Sequence, residues 1–143
     1  MRGEVLTPFR KEGDIMKSNK IVENLEYADR AGMKLCMDLH FPAHGSDLLP
    51  VVLGIPGGGW RGCSKQSVPL FLADYGFAMA CINYRVSGDA IAPANILDCK
   101  DAVRWLKVNG TRYGLDPNRI GVYGASAGGH LAAMLGVSSG VKT

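Results

Sequence analysis

The stretch that decides the fold is IGVYGASAG, residues 120–128. Its first four residues form a short apolar strand, and Gly124 to Gly128 then give G-x-S-x-G directly before a predicted helix. A strand that turns sharply into a helix strains the backbone of the serine. The glycines two residues before and after it have no side chain, which lets the backbones of the strand and the helix pass each other closely. The pattern favours a nucleophilic Ser126, with the N–H groups of the helix N-terminus available to an oxyanion. The alternative is a glycine-rich turn that contains an incidental serine.

Two further apolar runs, Val51–Ile55 and Phe77–Ile82, are typical of strands buried on both faces of a parallel sheet. The spacing of apolar residues predicts a helix over Asn95–Asn109, with Gly110 as its C-terminal stop. A shorter helix is predicted from a Ser67 cap to Tyr75, and another begins near Leu131. Strands that alternate with helices predict an α/β sheet with right-handed crossovers.

Upstream of these runs, two extended segments predict an antiparallel hairpin. Ile21–Ala28 and Met33–Phe41 are joined by Asp29-Arg30-Ala31-Gly32, and the second segment alternates apolar with polar residues. Residues 1–19 are polar and are expected to be a poorly ordered leader, which leaves residues 20–143 as one domain. We find no signal-peptide core and no apolar run of membrane-spanning length, so a cytoplasmic location is favoured over secretion.

The second motif is the run PGGGW, residues 56–60, at the end of the first buried strand. Consecutive glycines suit a loop whose backbone N–H groups must approach a ligand closely, as an oxyanion hole requires. A flexible loop is the plain alternative. Gly57, Gly59 and Gly62 also match a dinucleotide fingerprint, although the next strand ends in Arg85 without an acidic residue. Arg85 suits a 2′-phosphate, so a Rossmann-like NADP-binding module remains open.

The composition narrows the class of protein. The chain has 143 residues and a net charge of +3 with scattered basic residues, which argues against nucleic acid as a partner. Its four cysteines form no C-x-x-C pair and have no histidine at metal-ligand spacing, so we expect reduced thiols and no metal. No cofactor is predicted.

Together the motifs bring a resemblance to the α/β-hydrolase superfamily, in its carboxylesterase and feruloyl-esterase-like branch related to hormone-sensitive lipases. The similarity lies in residues 51–60, 81–85, 98–106 and 113–132. It implies that Ser126 is the catalytic nucleophile of a serine esterase acting on small-molecule esters with short or aromatic acyl groups, some of them carbohydrate-linked. It also implies an oxyanion hole made by the N–H groups of Gly58, Gly59 and Ala127. Pro56 stands where many relatives have histidine, and its fixed φ can stiffen the loop.

The family orders its triad as serine, then an acid, then histidine. Here 17 residues follow Ser126, with His130 as their one histidine and no carboxylate. We therefore expect this sequence to form the N-terminal part of an α/β-hydrolase domain, up to and including the nucleophile elbow that carries Ser126. A non-catalytic fragment is the alternative. The strand before Ser126 would then expose an apolar edge, and we expect self-association through it.

The other polar candidates are read as structural. His130 lies one helical turn after Ser126 and is a weak candidate for the general base. We expect surface histidines at His40 and His44. Asp98, Asp101 and Trp105 share one face of the long helix, which we expect to be a polar stripe with i,i+3 pairs such as Asp101 with Arg104. Asp116-Pro117 is expected to be a turn.

Overall fold

The computed structural model describes residues 20–45, 47–138 and 140; the predicted leader over residues 1–19 lies outside them. The strands, in chain order, are β1 (Ile21–Arg30), β2 (Met33–His40), β3 (Leu49–Ile55), β4 (Ala78–Ile82) and β5 (Leu115–Gly124). The α-helices are α1 (Ala94–Asn109) and α2 (Ala127–Val137), and short 3-10 helices span Lys65–Ser67, Phe71–Tyr75 and Gly110–Tyr113.

The five strands form one mixed sheet in the order β1-β2-β4-β3-β5. β1 and β2 are the predicted antiparallel hairpin, and β2 pairs antiparallel with β4. β3 pairs in parallel with both β4 and β5, and six of its seven residues are buried. The prediction of a hairpin followed by parallel strands with flanking helices is therefore confirmed, and the serine strand lies next to β3.

The hairpin turn is shorter than predicted. Asp29 and Arg30 still pair with Lys34 and Met33, so only Ala31 and Gly32 form the turn. Ala31 has φ 54° and Gly32 has φ 95°. Positive φ at both central residues matches the twist of the flanking strands and gives the two-residue hairpin its register.

The predicted helix over Ser67–Tyr75 is wrong, because two 3-10 helices replace it. Val68 precedes Pro69 and is extended, with φ −75° and ψ 126°, since the proline ring disfavours a helical residue before it. Ser64 rather than Ser67 caps the first of these helices, with its hydroxyl accepting from the Gln66 N–H at 3.3 Å. Gly76, with φ 89°, ends the second as predicted.

The C-terminal stop of α1 also differs from the prediction. Gly110 has φ −58°, so the chain continues into the 3-10 helix Gly110–Tyr113. That 3-10 helix ends at Gly114, which has φ 79°. β5 begins at Leu115, five residues before the predicted strand, and its register against β3 shifts after that residue. The irregularity contains Asp116-Pro117, where the Asp116 carboxylate accepts from the Asn118 N–H at 2.9 Å. The predicted turn is therefore a local turn within the β5 range.

The apolar residues of the sheet and α1 form one main core, in which Leu53, Ile82 and Leu106 are fully buried. All four cysteines are free thiols, with Cys81 and Cys99 buried and Cys36 and Cys63 half-buried. Burial raises the pKa of the Cys81 thiol to about 12. Within the described residues, no helix has the length and apolar character to cross a bilayer. No three histidine, cysteine, aspartate or glutamate side chains of that part of the chain cluster as a metal site.

Candidate active site

Ser126 occupies the sharp turn between β5 and α2. Its backbone has φ 56° and ψ −124°, a conformation that is strained for any residue with a side chain. The serine is the N-cap of α2, yet its hydroxyl makes no capping hydrogen bond to the helix. Because capping is the ordinary use of a serine at this position, an exposed and uncommitted hydroxyl sets Ser126 apart.

The glycines on either side of Ser126 are required by close backbone contacts. A Cβ at Gly124 would lie 2.2 Å from the carbonyl oxygen of Gly128, and a Cβ at Gly128 would lie 2.1 Å from that of Ile55. Carbon and oxygen atoms cannot approach so closely without a shift of the backbone. The steric prediction made for these two positions is therefore confirmed, and α2 starts directly against the end of β3.

The glycine loop after β3 lies against the serine turn. A Cβ at Gly57 would be 2.8 Å from the carbonyl oxygen of Ala125 and 3.4 Å from the Cβ of Ser126. Gly58 has φ 136° and Gly59 has φ 64°, so both adopt backbone conformations that favour glycine. The Arg61 and Gly62 N–H groups both donate to the Gly58 carbonyl, at 3.1 and 3.2 Å. The loop therefore has its own hydrogen-bonded shape.

Ala127 brings the helix terminus into the same region. It is the first residue of α2 and is 1% exposed. Its N–H is one of the four at a helix N-terminus that have no partner within the helix, and the helix dipole makes this end positive. The structure thus brings together the turn of Ser126, the loop of Gly58 and Gly59, and the N-terminus at Ala127.

The histidines differ from one another in their surroundings. His130 lies one turn along α2, where its backbone N–H donates to the Ser126 carbonyl at 3.0 Å. Its ring packs edge to face against that of Trp60, with the ring centroids 5.6 Å apart. His40 is half-buried on β2 rather than on the surface, and loss of solvent lowers its pKa. His44 is exposed, as predicted.

The polar stripe predicted on α1 includes a residue removed from solvent, because Asp98 is fully buried. Its carboxylate accepts from the Arg85 backbone N–H at 2.9 Å, from two nitrogens of the Arg85 guanidinium at 2.8–2.9 Å, and from Arg30 Nε at 3.2 Å. The predicted Asp101–Arg104 ion pair is present. A signal for burial was available, because Asp98 lies four residues before Ala102 on the apolar side of α1.

The dinucleotide interpretation of Gly57, Gly59 and Gly62 finds no support in the local fold. The fingerprint needs an α-helix that begins at its glycines and points its N-terminus at the pyrophosphate. Here the described chain runs through a turn into the three-residue 3-10 helix Lys65–Ser67. Arg85, which could have met a 2′-phosphate, is bound to Asp98.

Comparison with known proteins shows the family and the fold to which the chain belongs. The model of the BD-FAE family matches residues 37–143. Esterase LipQ of Mycobacterium tuberculosis is 39% identical over 94 residues, and the probable carboxylic ester hydrolase LipM of the same organism is 43% identical over 89. These alignments cover 63% and 59% of this chain, but only 22% and 21% of the relatives.

A solved structure of similar fold is a truncated form of a carbohydrate esterase from gut microbiota. It superposes with a TM-score of 0.76 at 34% sequence identity, over 87% of this chain and 45% of that one. Because the sequence identity is 34%, this similarity supports membership of the same family as well as the same fold. The observed sheet is thus part of an α/β-hydrolase fold, and the two named relatives are an esterase and a probable carboxylic ester hydrolase.

Proposed function

The chain belongs to the BD-FAE family of α/β-hydrolase esterases, and from that premise we propose that it is the nucleophile-bearing part of a serine carboxylic ester hydrolase. The observation that carries the proposal is Ser126 at φ 56° with its hydroxyl free of the helix cap. Strain of this kind persists only where the surrounding structure enforces it, and it clusters at active sites. The backbone contacts of Gly124 and Gly128 supply that enforcement.

In the proposed reaction, the Ser126 Oγ attacks the ester carbonyl carbon while its proton passes to a histidine base. The carbonyl electron pair moves onto oxygen, and the N–H groups of Gly58, Gly59 and Ala127 stabilise the resulting oxyanion. Collapse of this intermediate expels the alcohol, which takes the proton, and leaves an acyl-serine. Water then attacks the acyl carbon and gives a proton to the histidine. Collapse of this second intermediate breaks the bond to Ser126 Oγ, which takes the proton back, and releases the acid.

We propose that the histidine base and its acid partner come from chain beyond these residues. The named relatives are several times longer than the region they share with this chain, which leaves room for both groups. The alternative base within the described residues is His130. It lies one helical turn after Ser126 on α2, where its ring packs edge to face against Trp60.

The substrate we propose is a small ester with a short or aromatic acyl group, and carbohydrate-linked esters are the first to test. Support for the sugar comes from the similar carbohydrate esterase structure. Nothing in the proposed chemistry requires a metal or a cofactor, since the nucleophile is a side chain and the oxyanion donors are backbone groups.

Active-site labelling tests this function directly. A fluorophosphonate probe is expected to label Ser126 in the full-length protein, and Ser126→Ala is expected to abolish both labelling and ester hydrolysis. Ser64→Ala is the matched control, because Ser64 is exposed and its hydroxyl caps a 3-10 helix instead. A thermal shift with NADP and no labelling would favour the nucleotide-binding alternative. The absence of both labelling and a thermal shift would favour a non-catalytic fragment.

We also propose that residues 1–143, prepared alone, associate through β5. This strand pairs with β3 on one side, and in the described residues no strand pairs with its other side. An apolar strand with unpaired backbone groups is a template for another chain.

A further inference from the structure

The glycine loop contains three consecutive residues whose backbones do not relax into ordinary regions. Gly58, Gly59 and Trp60 have φ 136°, 64° and 61°. A positive φ is tolerated by glycine, but for a residue as bulky as tryptophan it is a strained outlier. Such strain is maintained only where neighbouring structure over-determines the conformation. Besides the bonds from Arg61 and Gly62 to the Gly58 carbonyl within the loop, bonds from outside the loop contribute to holding this conformation.

Those bonds come from residues 84–87, which directly follow β4 and which we call the brace. The Tyr84 hydroxyl donates to the Pro56 carbonyl at 2.7 Å, at the start of the loop. The Ser87 N–H donates to the Trp60 carbonyl at 2.6 Å, in its middle. The Cys63 thiol donates to the Tyr84 carbonyl at 3.4 Å, at its end. The brace thus contacts the loop at three separate points.

The brace is itself fixed by a buried charge. Tyr84 is 2% exposed, and the Arg85 guanidinium and backbone N–H both bind the fully buried Asp98. A bidentate arginine–carboxylate pair is geometrically rigid, because two parallel hydrogen bonds fix the planes of both groups. Burial also raises the pKa of Tyr84 to about 12, so its hydroxyl keeps the donating proton under ordinary assay conditions.

We infer that Tyr84 is a positioning residue for the oxyanion hole, and that the Arg85–Asp98 pair fixes the brace from which it acts. This inference rests on the proposed function, and it adds residues that are neither the nucleophile nor the oxyanion donors. The hydroxyl of Tyr84 fixes the orientation of the Pro56 carbonyl. This carbonyl belongs to the peptide group that joins Pro56 to Gly57, so its orientation affects the backbone of Gly58 and Gly59. Donors aimed at an oxyanion act in the transition state, so their misplacement lowers kcat more than it changes KM.

The test compares two tyrosine-to-phenylalanine variants in the full-length protein. Tyr84→Phe keeps the buried ring and removes only the bond to Pro56. Tyr27→Phe is the matched control, since Tyr27 is also buried and its hydroxyl also donates to a backbone carbonyl, that of Asn83. Asn83 remains held to β2 without it, through bonds of 3.2 and 2.7 Å to Cys36.

For Tyr84→Phe we expect kcat on a p-nitrophenyl ester to fall about tenfold, short of the 10²–10³-fold lost with a whole oxyanion donor. KM is expected to change by less than about twofold. Native-state hydrogen exchange should become about fivefold faster in a peptide covering residues 57–63, as expected for one lost hydrogen bond. Tyr27→Phe should leave kcat and that peptide as they are. Arg85→Lys, which keeps the charge but loses the bidentate geometry, should also speed exchange in the loop.

Three results would overturn the inference. The first is Tyr84→Phe with unchanged kcat or unchanged exchange in residues 57–63. The second is a raised KM at constant kcat, which would indicate a role in binding instead. The third is equal loosening of the loop by Tyr27→Phe, which would indicate a general loss of stability. If the wild-type protein hydrolyses no ester while Tyr84→Phe still loosens the loop selectively, the proposed function fails and the brace stands.

Discussion

Replacing Gly128 by alanine tests the geometry on which the site depends. The added Cβ would lie 2.1 Å from the Ile55 carbonyl oxygen and 2.9 Å from both the Ile55 carbonyl carbon and the Pro56 carbonyl oxygen. All three are backbone atoms at the end of β3, so no side chain can rotate away. The N-terminus of α2 must therefore move from the sheet by about 1 Å to restore van der Waals contact.

Two opposing terms set the expected loss of stability. Overpacking a well-packed site costs about 1–3 kcal/mol, and a collision with backbone lies at the upper end of that range. Alanine is better than glycine in a helix by roughly 1 kcal/mol, which offsets part of the cost. We expect the free energy of unfolding to fall by about 2 kcal/mol. We expect kcat to fall on the order of 100-fold, since a misplacement of about 1 Å has that effect on positioned groups.

Gly136→Ala is the control for this variant. Gly136 lies in the same helix, but a Cβ there meets no atom within 4 Å, so only the gain in helix propensity applies. Because Gly136 is the last but one residue of α2, this variant should stabilise the protein by less than the roughly 0.5–1 kcal/mol gained at a helix centre, and it should leave ester hydrolysis unchanged. Urea unfolding and steady-state kinetics of the full-length protein measure both quantities. If Gly128→Ala unfolds at the wild-type urea midpoint and keeps its kcat, the argued contact between α2 and β3 is refuted.

Two further predictions follow from the buried thiol and from the edge strand. Between pH 9 and pH 12 only the unfolded chain loses the Cys81 proton, because burial raises the native pKa from 9.0 to about 12. This group stabilises the fold fully below pH 9, and its contribution declines with rising pH by about 1.4 kcal/mol per unit. Urea midpoints of the wild type and Cys81→Ala should converge as the pH rises; a constant difference would refute the assignment. Residues 1–143 alone should sediment as oligomers, and Val122→Lys on β5 should shift them towards monomer, whereas Ile91→Lys in an exposed loop should not. A sharp monomer peak for the unsubstituted chain would contradict this.

Local sequence signals predicted the elements that depend on neighbouring residues. The apolar runs Val51–Ile55 and Phe77–Ile82 became β3 and β4, and the helical periodicity before Asn109 became α1. The need for glycine at positions 124 and 128 follows from the geometry of a strand that turns sharply into a helix. Each of these is decided within a few residues along the chain. The failed prediction of a helix at Ser67–Tyr75 also has a local cause, because Pro69 disfavours a helical conformation at the residue before it.

The sequence by itself determined the type of sheet through its apolar runs. It determined the strained serine turn and the glycine loop through the backbone preferences of residues at consecutive positions. Only the tertiary structure decided that Asp98 is buried rather than solvated, and that residues 84–87 hold the glycine loop. Arg30, Arg85 and Asp98 lie on three different segments, and their pairing depends on how the hairpin, the end of β4 and α1 pack together. A buried charge is stable only with partners that satisfy it, and which partners come within reach is a property of the packed fold.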